Sequence, residues 1–294
     1  MISRRRPIYE DHARAIFHGP EGRTLVQHFK DGARAGGGRV VDVEGKGALS
    51  NRISERLMRG LATAAVPTHF IRRLNMREQL VGDCDNFPFS VRVYNAACDD
   101  FHSRFGMERN QPLPRAVLEY VMLEPYGERV SEEHITAFDW AASHEVEEIF
   151  HLALRVNDVL LGMCAAVGMR MLRAELSFAR STEEEMSRVV LADALTPDGC
   201  LFCDLRGGDL LGLPGGDGEE PDEEALGGMY REVARRFGVL EETEGEVLEE
   251  DVRTPVAGAR IYSFTRRARK KLTSVPPPPS PPPSPSPPPP PKTN

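Results

Sequence analysis

The sequence has no run of about 18 apolar residues, so it offers no membrane-spanning segment to read. The basic start Met1-Ile2-Ser3-Arg4-Arg5-Arg6 is not followed by an apolar stretch, so no secretion signal is read there. Cysteine is scarce and odd in number, at positions 84, 98, 164, 200 and 203, which argues against a disulfide framework and for a reducing cytoplasm. There is no Walker-type phosphate loop, no Gly-x-Gly-x-x-Gly after a strand, no second partner for the Cys200-x-x-Cys203 pair, no His-x-x-x-His pair and no internal repeat. Gly36-Gly37-Gly38 reads as a hairpin loop before it reads as a phosphate cradle. His69, between strand-like neighbours, reads as structural.

The 294 residues suggest about two domains of ~150 residues each, ample for a hydrophobic core. Apolar residues make up 40% and charged residues 28%, an ordinary soluble balance. The net charge of −8 is uneven. Asp217 to Asp251 holds 14 acids against three arginines, and the acidic balance argues against non-specific nucleic-acid binding.

Residues 1–206 read as a folded α+β core. Ile53, Leu57 and Leu61 recur at helical spacing within 50–64. Val146, Ile149, Leu152, Ala153, Val156, Val159 and Leu160 mark one face of a long helix over 143–167. Leu226, Met229, Val233 and Phe237 do the same for 224–237. Segments 68–74, 91–94 and 188–192 read as strands. Strand-like and helical pieces do not alternate, so a doubly wound parallel sheet is not expected. The stretches 207–224 and 241–251 read as a flexible loop and an acidic linker. A basic run, Arg266 to Lys271, precedes Pro276–Pro291, which holds only Pro and Ser and should be an extended polyproline tail. Such a tail is either solvated or a ligand for a proline-binding module.

Several strings go further. Val43-Glu44-Gly45-Lys46-Gly47-Ala48-Leu49-Ser50-Asn51-Arg52-Ile53-Ser54-Glu55 and Val66-Pro67-Thr68-His69-Phe70-Ile71-Arg72-Arg73-Leu74 strongly resemble signatures of the SAICAR synthetase family. Val130–Phe138, Val156–Leu160, Leu191-Ala192-Asp193 with Thr196-Pro197-Asp198, and Val233–Val239 agree in order and spacing. The resemblance spans residues 4–239. It implies an α+β fold with a small N-terminal antiparallel β domain (1–90, nucleotide-binding-like), a larger α+β domain with a C-terminal helix (91–240), a nucleotide cleft between them, and a separate tail (241–294). It also implies ATP and magnesium as cofactors. The activity implied is amide formation between aspartate and a phosphoribosyl aminoimidazole carboxylate: ATP phosphorylates the carboxylate, and the amine displaces phosphate. A homodimer is expected.

Charged positions depart from the family pattern as a group. The family's Gly-Lys-Ala-Lys is Asp11-His12-Ala13-Arg14, and the second Asp after Phe-Lys-Asp is Gly32. The Arg and Ser of its substrate-phosphate string are Tyr94 and Asp100, and an acid at that place would repel a phosphate. A Glu near the adenine site is Ser90. The family's Val-Asp-Phe-Lys-Leu-Glu is Leu172-Arg173-Ala174-Glu175-Leu176-Ser177. This suggests either a charge-swapped Arg173–Glu175 pair or a cation site rebuilt from Glu175 and Asp193. Gly127-Glu128-Arg129 replaces Asp-Pro-Met, and two further family positions, an Arg and a Trp, are Leu201 and Cys203. The matching site residues are Arg14 and Lys46 as phosphate contacts and Asp193 as metal ligand. Two readings follow: a degenerate paralogue with lost or reduced activity and a binding or regulatory role, able to hetero-oligomerise with a genuine synthetase, or an active ATP-dependent ligase, classical or with an unphosphorylated substrate.

Overall fold

The computed structural model describes residues 6–35, 39–98, 100–123, 126–181, 188–206, 208, 210–211 and 223–240. All of them fall within one compact unit, Met1–Gly245. Gly36–Gly38 and the whole tail lie outside the described residues.

The first sheet is built from β1 (Tyr9–Glu10), β2 (Arg14–His18), β3 (Thr24–Phe29), β6 (Phe70–Arg73) and β7 (Glu78–Gly82), in the order β1-β2-β3-β7-β6. Every neighbouring pair is antiparallel. A short ribbon pairs β4 (Gly32–Arg34) with β5 (Val40–Asp42). The second sheet orders β10 (Arg129–Val130), β9 (Pro112–Met122), β8 (Cys84–Ala96), β11 (Met169–Ser181), β13 (Cys200–Asp204) and β14 (Leu210–Leu211), with β12 (Val189–Leu191) paired to β11. Together these make an antiparallel α+β protein. Residue 90 falls inside β8, which pairs with β11 from Cys84 to Tyr94 and with β9 from Phe89 onward.

Helix α1 (Lys46–Thr63) begins four residues before the span 50–64 expected from the apolar periodicity. Gly45 turns into it at φ 80°, a backbone region that suits glycine. Its first turn has no acidic residue and no side-chain cap at Gly45. Asp31 serves from a distance instead: its Oδ1 accepts the Gly47 N–H at 2.8 Å, and Arg77 grips the same carboxylate at 2.7 and 2.9 Å.

The apolar face of α4 (Ser143–Ala166) lies in the core with Val146, Ile149, Leu152, Ala153, Val156 and Leu160 buried. α4 is long and apolar enough to cross a membrane by length and composition, and it packs here on β8, β11 and β12. The second sheet divides its side chains by alternation, interrupted in β11 by an irregularity between Met171 and Arg173 that puts Leu172 on the other face from Ala174. Val91, Val93, Ala174, Leu176, Cys200 and Phe202 join the main core. Tyr94, Leu201 and Cys203 point to the other face and form a separate apolar cluster with Phe101 and Leu172. α5 (Glu223–Arg236) packs on α1, and α2 (Phe101–Phe105) and α3 (Glu132–Ala137) are short. The first sheet's β6 leads out of a contact with the second: Thr68 bridges Leu191, with Pro67 O accepting the Leu191 N–H at 3.0 Å and Leu191 O the His69 N–H at 2.9 Å.

Candidate functional site

The bridge at Leu191 delivers Asp193 to the first sheet. Arg14, at the start of β2, donates to Asp193 Oδ1 at 2.7 Å. Ser177 Oγ donates to Asp193 Oδ2 at 2.9 Å, and the Ala194 N–H donates to Oδ1 at 2.7 Å. Two of the three expected site residues therefore meet, 179 positions apart in sequence. The Asp193 charge raises the Arg14 guanidinium further above its ordinary value. Asp11 assists from the same turn: its Oδ1 accepts the N–H groups of Ala13 and Arg14, both at 2.7 Å. Burial pushes the Asp11 carboxyl up, but the Arg14 N–H and charge and the Ala13 N–H outweigh it and hold it below the usual range.

His69 lies against this pair. Burial pulls its imidazole down to about 4, while the Asp193 charge opposes and the Arg14 charge adds to the fall. The ring is neutral at physiological pH. The sequence offered a structural histidine here and did not connect it with Arg14 or Asp193.

Lys46 has a different place from the phosphate contact expected. Its side chain is 0% exposed. Nζ donates to the Gly32 carbonyl at 2.7 Å, pairs with Asp198 Oδ2 at 2.9 Å and sits 5.5 Å from the centre of the Tyr230 ring. Tyr230 Oη donates to Asp198 Oδ1 at 2.7 Å. Burial, then the Asp198 charge, raises the Tyr230 hydroxyl well above its ordinary range. Lys46 thus ties the start of α1, the β4 strand, α5 and the Asp198 turn together from inside. The Thr196-Pro197-Asp198 string was the available signal for its partner. Gly32 is explained by space: a Cβ there would come within 2.2 Å of the His12 carbonyl oxygen, so this backbone has no room for an Asp.

The substituted face of β8 and β11 forms its own pairs. Glu175 Oε2 accepts from Arg92 at 2.9 Å and Oε1 from Ser90 at 2.9 Å. The partner of Glu175 is thus Arg92 on the neighbouring strand, in place of the expected Arg173. Cross-strand register explains this, because Glu175 stands opposite Arg92 whereas Arg173 stands opposite Tyr94 and Leu201. The cation site suggested for Glu175 and Asp193 does not form either, since both carboxylates are held by arginines. Among the described residues no group of three or more His, Cys, Asp or Glu side chains could hold a metal. A magnesium ion that takes one or two carboxylates together with the phosphates of its nucleotide would find Asp193 here once Arg14 has turned to the ligand.

Tyr94 is fully buried and packs on Phe101 with ring centres 4.7 Å apart. Asp100 does not stand alone as a repulsive acid. Arg129 donates to it at 2.8 Å and to Glu119 at 2.7 Å, and Arg104 donates to Glu119 at 2.6 Å. Two acids face two arginines, which balances the local charge. Arg129 comes from the Gly127-Glu128-Arg129 replacement, so one departure from the family string compensates another.

The SAICAR synthetase family profile matches residues 7–213. The chain is 43% identical over 249 residues to phosphoribosylaminoimidazole-succinocarboxamide synthase A of Bradyrhizobium diazoefficiens, covering 83% of this chain and 95% of that one. It is 44% identical over 246 residues to the synthase of Parvibaculum lavamentivorans, covering 83% and 96%. Among solved structures, the synthase of Ehrlichia chaffeensis superposes with a TM-score of 0.70 at 31% identity, covering 80% of this chain and 99% of that one. A SAICAR synthetase in complex with ADP superposes with a TM-score of 0.69 at 25% identity, covering 78% and 96%. Sequence strings, antiparallel α+β fold and relatives agree, and the chain belongs to the SAICAR synthetase family.

Proposed function

We propose that this chain is an active ATP-dependent ligase that joins aspartate to an aminoimidazole carboxylate. The observation that carries the reading is the identity of 43–44% sustained over 95–96% of the length of two proteins named as synthases. This favours the active ligase over the degenerate paralogue. ATP supplies the leaving group: it converts the carboxylate to an acyl phosphate, whose carbonyl the aspartate amine attacks with loss of phosphate. The chain's own contribution begins with Arg14. Its guanidinium is one-third exposed and exchanges Asp193 for the oxygens of an anionic ligand, a like-for-like swap of oxyanion partners. Ser177 and the Ala194 N–H keep Asp193 in place during that exchange. Neutral His69 adds no competing charge beside them. No step is assigned to a protein-held metal.

The test is ADP release and amide formation by the full chain with ATP, aspartate and phosphoribosyl aminoimidazole carboxylate in a magnesium buffer. Product should require all three substrates, and Arg14→Gln should lower kcat/KM by about 100-fold or more. Absence of product from the unsubstituted chain overturns the reading.

The Arg14–Asp193 closure favours a second reading, the degenerate paralogue with a binding or regulatory role. It requires that calorimetric titration with Mg-ATP show no binding up to millimolar nucleotide. Under either reading the chain acts in the cytoplasm as a homodimer, and light scattering reads that state. Co-elution with a genuine synthetase would show a hetero-oligomer. Pull-down by a proline-binding module would show docking through Pro276–Pro291.

A further inference from the structure

Helix α1 covers one face of the first sheet, and the interface between them is not purely apolar. Gln27 on β3 and Gln79 on β7 stand directly opposite each other, so their side chains leave the sheet on the same face. Gln79 Nε2 donates to the Asn51 carbonyl at 2.9 Å, which identifies that face as the one under α1. Asn51 Nδ2 donates to the Asn75 carbonyl at 2.8 Å. Ser54 follows Ser50 by four positions and Asn51 by three, so these side chains are neighbours on the helix surface. Gln27, Ser50, Asn51, Ser54 and Gln79 are each at most 2% exposed. Among the described residues, four of their polar atoms find no partner: Gln27 Nε2, Ser50 Oγ, Asn51 Oδ1 and Ser54 Oγ. Ile53, Leu57 and Leu61 of the same helix pack in the main core, so the polar patch is local.

Burying an amide or a hydroxyl without a hydrogen bond is costly, and four such atoms at one interface weigh heavily on a fold of marginal stability. The set also describes its own ligand. The Gln27 amide nitrogen only donates, Asn51 Oδ1 only accepts, and each serine hydroxyl does both. A cation would face the Gln27 N–H groups, and an anion would face the Asn51 oxygen. The complementary group is small, neutral and able to donate and accept at once. We propose that the interface around Gln27, Ser50, Asn51 and Ser54 is a binding site for ordered internal water. A buried water makes about three hydrogen bonds, so one or two would serve all four atoms. Water then carries part of the attachment of α1, and with it Lys46 and Gly47, to strands β3 and β7. The site stands apart from the ligase reading and holds under either function.

A high-resolution crystal structure of the full chain tests the site directly. Density peaks about 2.7–3.2 Å from Gln27 Nε2 and from Asn51 Oδ1 are expected. A closed interface with no peak overturns the proposal. Urea unfolding of Ser54→Ala gives an independent test by sign. If Ser54 Oγ holds water, the variant strips that water of a partner, and the midpoint should fall by about 0.3–0.5 M although alanine favours a helix. If the hydroxyl is buried dry, alanine removes an unmet polar group. A midpoint that rises or stays level therefore overturns the proposal. Ser50→Ala should fall in the same way. Unfolding of the full chain in potassium, sodium and choline chloride at equal ionic strength should give one midpoint. A midpoint raised by potassium or sodium alone would make the ligand a cation and overturn the assignment to water.

Discussion

Lys46 separates a ligand contact from an internal tie. Its ammonium is fully buried between the Gly32 carbonyl and the Asp198 carboxylate. Replacing it with Met leaves the partly exposed Asp198 beside Tyr230 without its cation, which costs about 1–3 kcal/mol. Urea unfolding of Lys46→Met should show that loss, and the double variant Lys46→Met with Asp198→Asn should recover part of it. A stable Lys46→Met chain that has lost only nucleotide binding would return Lys46 to the ligand. His69 gives a pH signature. Its folded value of about 4 lies below the ordinary 6.5, so between these values the unfolded chain binds a proton that the folded chain does not. Stability is full above pH 6.5, falls as pH drops toward 4 and levels off below it. The loss is about 1–3 kcal/mol, reduced by the ring's partial exposure and by Asp193 opposite it. Denaturant midpoints at pH 7 and pH 5 measure the loss, and His69→Gln should flatten the slope. At this scale the sequence named Arg14 and Asp193 through family strings. It did not reveal that they neutralise each other, because an ion pair across 179 residues leaves no local pattern.

Helices were the most legible elements, because a periodic apolar face survives in sequence whatever packs against it. The reading of 143–167 differs by one residue from α4, and that of 224–237 by one residue at each end from α5. α1 was read late because Gly45, Lys46 and Gly47 are poor helix signals, and its cap comes from Asp31 on another segment. β8 was read as four residues and spans thirteen. Asp85, Asn86 and Pro88 look like turn residues, and pairing of Asp85 and Asn86 with β11 carries the strand on past the end of β9. α4 supplies the test at this scale. Ile149 is wholly buried in the main core, so Ile149→Ala should cost about 2–5 kcal/mol. Exposed Glu147→Ala on the same helix should stay within about 0.5 kcal/mol, and paired unfolding curves compare the two.

For the whole molecule, the fold class and the family were both legible, since scaffold strings are spread over most of the chain. The second sheet's split into two apolar faces was not, because it depends on register across strands far apart in sequence. The tail's composition predicts independence from the fold: Pro and Ser bury little apolar surface and donate few backbone hydrogen bonds. A chain ending at residue 240 should melt within about 2 °C of the full chain, as differential scanning calorimetry would show.

The Arg14–Asp193 contact also sets an order of events during synthesis. At about 5–20 residues per second, a ribosome takes roughly 10–35 s to make the 179 residues between them. Until that interval has passed, the N-terminal strands are without their distant anion. Asp11, three residues from Arg14, is present from the start and lies 3.5 Å from the guanidinium in the finished fold. It offers the arginine a local anion that does not depend on the second sheet. Asp11→Gly would therefore slow the final docking step more than it weakens the completed protein.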